Sequence, residues 1–431
     1  MKKLLLILPR LESGYWGHVS KSGKAGMVRL SLPTIAALTP PDWSVEILEA
    51  RTTAVDFDAR VELVGITAFT AELPSAYAIA DGFRARKTPV VMGGFHVSVM
   101  PEEALAHADS VVIGEAEPVW ESVIRDAEKQ ALKPVYQAGH LIEMKQMAVP
   151  RRELLNKNMY ATGFNTLQAT RGCPYNCEYC AISAFFGRKY RHRLVSEVIG
   201  EIENFDTKSF FFVDDNITAN KRYAGDLFRT LIPLNRVWGG QSDINFAFDD
   251  QLLSLYAKSG GKYAFIGFES LSEANLNRMP KSLNSPDKYK TAIKRSQKAG
   301  ISVLGSFIFG LDDDDPGVFE RTVDFIRKSG MDATQFHILT PFPGTRLYDE
   351  MDRQGRIVDK DWGRYHTSDL IFSPFSMTPE ELMRGYYWAF RKIYKLNRTL
   401  VRSLRSMHNI APRASLNFGY RKKAMQMPAL S

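Results

Sequence analysis

Three cysteines, the only ones in 431 residues, fall within eight positions of the run Arg171-Gly172-Cys173-Pro174-Tyr175-Asn176-Cys177-Glu178-Tyr179-Cys180. Spacings of four and three let one tight loop wrap three thiolates around a single inorganic cluster. A [4Fe–4S] cluster normally takes four cysteines, so three leave one iron open. Two other uses of the thiols compete with this one. Structural thiols have no reason to crowd into a loop bearing glycine and proline, and a zinc site completed by His192 would lack the usual paired spacing. With every cysteine in this loop there is no disulfide framework, which fits a reducing cytoplasm.

Further polar residues stand where strand-like runs end. Phe210-Phe211-Phe212-Val213 leads into Asp214-Asp215-Asn216, the run before Ser242 ends on Gln241, and Tyr263 to Phe268 leads into Glu269. A carboxylate at such an end suits an ammonium group, and Asp215 or Asn216 also suits a helix cap. Ser306 lies within another apolar run, and Thr340-Pro341-Phe342-Pro343-Gly344-Thr345 has the composition of a shaped turn. Arg191 and Arg193 follow the cysteines, placed either to offset negative charge there or to stand solvated at a helix start.

The elements that must carry these residues read as two α/β series. From about residue 161, strands at Thr166–Thr170, Ser209–Val213, Trp238–Gln241, Tyr263–Gly267, Val303–Phe309 and Ala333–Leu339 alternate with helical stretches. Six βα units predict a partial (β/α)6 barrel with its chemistry at the carboxyl ends of the strands. Residues 1–131 alternate in the same way, with strands at Lys3–Leu8, Ser44–Glu49, Leu63–Thr67, Pro89–Met92 and Ser110–Ile113, and predict a doubly wound, Rossmann-like parallel sheet. The start imitates a signal peptide, but its apolar run is short and ends at Pro9-Arg10, so it reads as a buried strand. Ligands of such sheets bind beyond the strand ends, here Thr67-Ala68-Phe69-Thr70, Gly93-Gly94-Phe95-His96 and Gly114-Glu115-Ala116-Glu117. Residues 132–160, with Pro134 and Pro150, read as a linker, 161–375 as the barrel and 376–431 as a basic helical region.

From the cysteine loop across the barrel the sequence resembles the radical S-adenosylmethionine (SAM) superfamily, whose Cys-x-x-x-Cys-x-aromatic-Cys motif is matched by Cys173, Cys177, Tyr179 and Cys180. The resemblance implies a [4Fe–4S] cluster whose open iron takes the amino and carboxylate groups of SAM, and reductive cleavage to a 5′-deoxyadenosyl radical. It also implies SAM contacts from Tyr179, Asp214, Gln241, Glu269, Ser306 and Pro341, and an electron donor such as flavodoxin or ferredoxin. The amino-terminal domain, with Gly93-Gly94-Phe95-His96, Pro101-Glu102-Glu103 and Val112-Ile113-Gly114-Glu115-Ala116-Glu117, resembles the cobalamin-binding branch of that superfamily. That implies cobalamin held by Thr67, Gly93, Gly94, His96, Gly114 and Glu115, although no Asp-x-His-x-x-Gly motif supplies a lower axial histidine. Relatives of this branch point to methylation of an unactivated centre in a small-molecule or lipid-like substrate. Radical cyclisation, dehydrogenation or rearrangement without cobalamin is the alternative, and a cluster-containing binding or sensor protein is a reading of another class.

The net charge of +8 is local. Leu382 to Ser431 holds eleven Lys and Arg and no Asp or Glu, which leaves 45 basic against 48 acidic residues elsewhere. Met383, Tyr387, Phe390, Tyr394 and Leu400 recur at helical spacing there, among Arg384, Arg391, Lys395, Arg398 and Arg402. Such a basic amphipathic stretch either packs on the barrel or meets an anionic membrane or lipid-like substrate. No aromatic-basic module speaks for nucleic acid, and no apolar run is long enough to cross a bilayer.

Overall fold

In the computed structural model the described residues are 2–11, 26–145, 147–160, 165–279, 284–405 and 409–428. The first series forms β1 (Lys2–Leu8), β2 (Trp43–Glu49), β3 (Leu63–Thr67), β4 (Val90–Gly93), β5 (Ser110–Ile113) and β6 (Val135–Gln137). They make one parallel sheet in the order β2-β1-β3-β4-β5-β6. The continuous apolar run of β1 is what a strand covered on both faces requires. Leu5 and Ile7 enter one core with Val64, Met92 and Phe83, while Leu4, Leu6 and Leu8 enter the opposite core with Val91, Val112 and Trp120. The order reverses between β1 and β3, so the carboxyl ends of β3, β4 and β5 border the crevice where such sheets take ligands.

The stretch expected as a linker is more than a connection. Val135–Gln137 adds β6 to the sheet edge, Arg151 donates its N–H to the Pro33 carbonyl, and Arg152 reaches both the Thr166 carbonyl and Glu201. A three-residue strand carries too little alternation to be read. The boundary expected at residue 161 lies outside the described residues.

The second series comprises β7 (Asn165–Leu167), β10 (Ser209–Phe212), β11 (Val237–Ser242), β12 (Gly261–Glu269), β13 (Ser302–Phe309) and β14 (Ala333–Ile338), with a short antiparallel ribbon of β8 (Thr170–Arg171) and β9 (Arg191–His192) between the first two. The six long strands pair in parallel and in chain order. Right-handed crossovers then place the helices on one face. Trp238, with Phe212 against it, meets Tyr256 and Phe228 there, Phe268 meets Tyr289, Phe309 meets Phe319, and Phe336 meets Phe390. The other face lines the barrel interior, and register assigns it Gln241 beside Phe265 and Leu304, Ser306 beside Gly267 and Gln335, and Ile308 beside His337. The expected first barrel strand, Thr166–Thr170, is broken after Leu167, because Asp214 draws off the N–H groups of Ala169 and Thr170.

An open barrel leaves β14 as an exposed edge, and edges are covered in stable folds. Here the Tyr394 hydroxyl accepts from Thr334 N–H and donates to its carbonyl, and Ile338 N–H donates to the Thr367 carbonyl. Tyr394 follows the helix Pro379–Ile393, whose Leu382, Tyr386, Phe390 and Ile393 are buried. This part of the basic tail therefore packs on the barrel. No helix among the described residues is long and apolar enough to cross a membrane.

Candidate active site between the two sheets

The cysteine loop joins β8 to the helix Ala181–Phe186 and is held at both ends. Gly172 has φ +81°, and a Cβ there would lie 2.3 Å from the Lys189 carbonyl oxygen, so only glycine fits. Its N–H donates to Asp215 at 3.0 Å. From the far side Arg346 donates to the Asn176 carbonyl at 2.6 Å and Leu347 N–H to the Glu178 carbonyl at 3.2 Å. Cys177 is buried, and Cys173 and Cys180 are partly exposed. Burial, with Cys180 and Cys177 nearby, pushes the Cys173 thiol up to about 12, so iron is needed to make it a thiolate ligand.

Among the described residues no three His, Cys, Asp or Glu side chains converge on one metal ion. Three thiols from one loop, each able to bind a different iron, are the donor set that a cuboidal cluster takes. His192 stacks on Tyr223 and turns Nδ1 to the Arg193 carbonyl.

Tyr179 ties the loop to the barrel interior. Its phenol is hydrogen-bonded to Cys177, and burial, followed by the charge of Glu269, raises it well above its ordinary value. Glu269 ends β12 beyond a register shift, buried, at φ +64°. A non-glycine residue held in that region stores strain, which concentrates at functional sites. His337 feels the same carboxylate, hydrogen-bonds through Nδ1 to Thr367 at 2.9 Å, and is lowered to about 4 by burial. Gln241 and Ser306 share this interior face, and Pro341 is buried in the loop after β14.

Two expectations for the barrel change. Asp214 is fully buried, with its carboxyl accepting from Ala169 and Thr170 N–H, and burial pushes it up to about 7. Instead of facing a ligand amino group it fixes the approach to the cysteines, because two backbone N–H groups, of Ala169 and Thr170, claim its carboxylate. Arg193 pairs with Glu201. Sequence reasoning missed Asp243, which accepts from Asn216 at 2.9 Å and from the Tyr175 hydroxyl at 3.3 Å and so links three elements around the loop. Its position one residue past Ser242, at the end of β11, was the available signal.

In the first domain Gly94 has φ +113° and packs so closely that a Cβ would lie 2.8 Å from the Ala68 carbonyl and 3.1 Å from Thr67 Oγ1. Gly114 has φ +82° and faces open space. These two glycines, with Gly93 and Thr67, stand together at the carboxyl ends of β3, β4 and β5. His96 and Glu115 do not join them. His96 is fully buried, lies edge-on to Trp362 at 4.8 Å, and is lowered to about 4 by burial, so it is a neutral packing group closed off by the second domain rather than a contact to cobalamin.

Glu115 is the hinge of the whole site. It accepts from Arg171 at 2.9 Å, from Arg191 at 2.8 Å and from Ile142 N–H at 2.8 Å, and Arg171 also pairs with Glu117 at 2.6 Å. Burial opposes its charge, yet the Arg191 and Arg171 guanidiniums hold its carboxyl below the usual range. Arg171 and Arg191 are the facing residues of the β8–β9 ribbon that frames the cysteines. The two candidate ligand loops are therefore bolted together. Arg191 keeps Nε and Nη2 buried without a hydrogen-bond partner among the described residues, donors suited to a ligand with acceptors. Gly344, where a Cβ would lie 2.5 Å from Val99, closes the same interface.

Comparison with known proteins agrees with this architecture. Residues 167–326 match the radical SAM superfamily model, 29–124 a B12 binding domain and 345–430 a domain of unknown function. Bacteriochlorophyllide d C-12(1)-methyltransferase of Chlorobaculum tepidum is 32% identical over 406 residues, 91% of this chain and 88% of that protein. An anaerobic magnesium-protoporphyrin IX monomethyl ester cyclase of Cereibacter sphaeroides is 25% identical over 368 residues, 76% of this chain and 60% of that one. The radical SAM methyltransferase TsrM of Kitasatospora setae, solved with cobalamin and a [4Fe–4S] cluster, superposes with a TM-score of 0.72 at 15% identity over 99% of this chain and 100% of its own. The chain belongs to the B12-binding-domain branch of the radical S-adenosylmethionine superfamily.

Proposed function

We propose that this chain is a cobalamin-dependent radical SAM methyltransferase that acts on an unactivated centre of a small-molecule or lipid-like substrate. The observation that carries the reading is Glu115, which joins the strand-end loop of the B12 binding domain to both arginines framing Cys173, Cys177 and Cys180. When bound, the cluster and cobalamin supply reductive cleavage of SAM and methyl transfer. The three cysteines hold the cluster, and Asp214 and Asp215 hold the loop that carries them. Tyr179, Gln241, Glu269, Ser306 and Pro341 receive SAM at the barrel mouth. Thr67, Gly93, Gly94 and Gly114 bring backbone close to cobalamin, and the neutral His96 takes no part in cobalt ligation. Packing of Gly344 on Val99 and of Trp362 on His96 keeps water from the junction.

The reducing electron comes from a small redox protein such as flavodoxin or ferredoxin, and the basic tail gives the enzyme a cytoplasmic, membrane-peripheral place. Cyclisation is the second reading, favoured by the similarity to a cyclase. Anaerobic protein reconstituted with iron, sulfide and cobalamin tests the proposal. It is expected to show corrin absorbance and to form 5′-deoxyadenosine with SAM and reductant. Absence of corrin bands would remove the methyl-transfer reading, and absence of 5′-deoxyadenosine the radical one.

A further inference from the structure

We infer that the outward face of the helix Leu396–Leu404 seats the protein on an anionic membrane surface. This helix is amphipathic in the opposite sense to a packed one. Thr399, Arg402 and Ser403 are buried, at 0%, 7% and 2% exposure, whereas Leu396, Leu400, Val401 and Leu404 stand at 50%, 42%, 61% and 63%. The inward polar side is held by its neighbours. Arg402 donates to the Ile393 carbonyl at 2.8 Å and to Asn417 at 2.9 Å and lies over the Tyr394 ring, and the Ser403 carbonyl accepts from Arg413. The helix is thus fixed with its leucines outward. A run i, i+4, i+5, i+8 gives one continuous apolar arc instead of scattered exposure.

Charge identifies the occupant. Exposed Lys395 and Arg405 stand at the two ends of the helix, Arg398 stands on its flank near Arg327 and Asp324, and no acidic residue occurs from Leu382 to the end of the chain. A nearby helix, Ile410–Gln426, also exposes Phe418 and Met425 with Lys422 between them. Leucines ringed by lysine and arginine fit an interfacial helix, whose apolar side enters the headgroup boundary while its cations meet anionic lipid. A second copy fits worse, since a two-fold contact through this face would set the cations against their own kind.

The inference takes up the membrane side of the proposed function and is independent of its radical chemistry. Full-length protein is sedimented with vesicles of phosphatidylcholine alone and with phosphatidylglycerol added. The wild type is expected to pellet only with the anionic vesicles. The triple variant Leu400→Ser/Val401→Ser/Leu404→Ser should partition about tenfold or more weakly with an unchanged melting temperature, because the three side chains are exposed. Removal of Lys395 and Arg405 as glutamines should weaken binding about fivefold per charge at low salt. A Leu400→Trp probe should shift its emission to the blue on anionic vesicles alone. Equal pelleting of wild type and triple variant, no pelleting of the wild type, no shift of the probe, or a wild-type dimer that the triple variant breaks would each overturn the inference. A triple variant that ignores vesicles while still forming 5′-deoxyadenosine separates docking from the chemistry.

Discussion

The two halves of the site are built from different material. On the barrel side, side chains do the holding: Asp214 and Asp215 fix the backbone before Cys173, Arg346 and Leu347 fix the loop from behind, and Asn216, Asp243 and Tyr175 link it to β10 and β11. On the first-domain side the proposed cobalamin surface is largely backbone, with glycines at 93, 94 and 114 beside Thr67, while His96 and Glu115 are engaged elsewhere. A small, strongly bound inorganic group needs donors at fixed positions. A broad cofactor needs close, unobstructed backbone, and glycine supplies that at positive φ where other residues are strained. Between the halves a single carboxylate, Glu115, faces two arginines.

Breaking the barrel half should have the largest effect. Replacement of Cys173, Cys177 or Cys180 by alanine is expected to abolish iron–sulfur absorbance and 5′-deoxyadenosine formation, while corrin bands survive in the reconstituted protein. Loss of both together would show that the halves are not separable. Next comes the junction. Glu115→Ala leaves two largely buried arginines with Glu117, on Arg171, as the remaining carboxylate and should destabilise the apoprotein by about 3 kcal/mol, with Glu115→Gln milder, as read by denaturant unfolding. A change below 1 kcal/mol would mean that the pair is hydrated and the halves held otherwise.

The glycines sharpen the comparison with smaller effects. Gly172→Ala and Gly94→Ala should each cost about 1–3 kcal/mol of local strain, but the first should lower iron content and the second corrin content. Equal loss of both cofactors in either variant would contradict the division of labour.

The smallest effect is on pH. Burial raises Asp214, and Asp314, whose buried carboxyl accepts from Gly310 and Leu311 N–H just after β13, from 3.8 to about 7. The folded state therefore binds protons that the unfolded state has released between about pH 4 and 7, and stability falls as pH rises through that window and levels above it. The melting temperature of the apoprotein should follow this slope by a few degrees, and Asp314→Asn should flatten it. An upward slope would contradict the assigned burial.

Much of this was legible in the sequence because it follows from period and composition. The apolar runs of β3 and β5 and the order of the barrel strands are properties of neighbouring residues, and the cysteine spacing states its own chemistry. What stayed hidden depends on contacts between residues far apart in the chain. Glu115 reads as one more loop carboxylate until Arg171 and Arg191 are beside it. His96 follows two glycines in a ligand loop, yet Trp362, some 266 positions later, closes over it. Asp214 has the right type and position for a ligand, but nearby backbone N–H groups claim it. The helix Leu396–Leu404 shows its amphipathic period in the sequence, whereas which side faces out is decided by Ile393, Tyr394 and Asn417.

The central claim, that the cysteine loop and the B12 binding loops form one site, is tested most directly by electron paramagnetic resonance of protein carrying a reduced cluster and cob(II)alamin. Two paramagnets in one site interact. The account predicts a cob(II)alamin signal that is split or relaxes faster when the cluster is present and reverts when Cys177→Ala removes it. A cob(II)alamin signal that is the same with and without the cluster would contradict it.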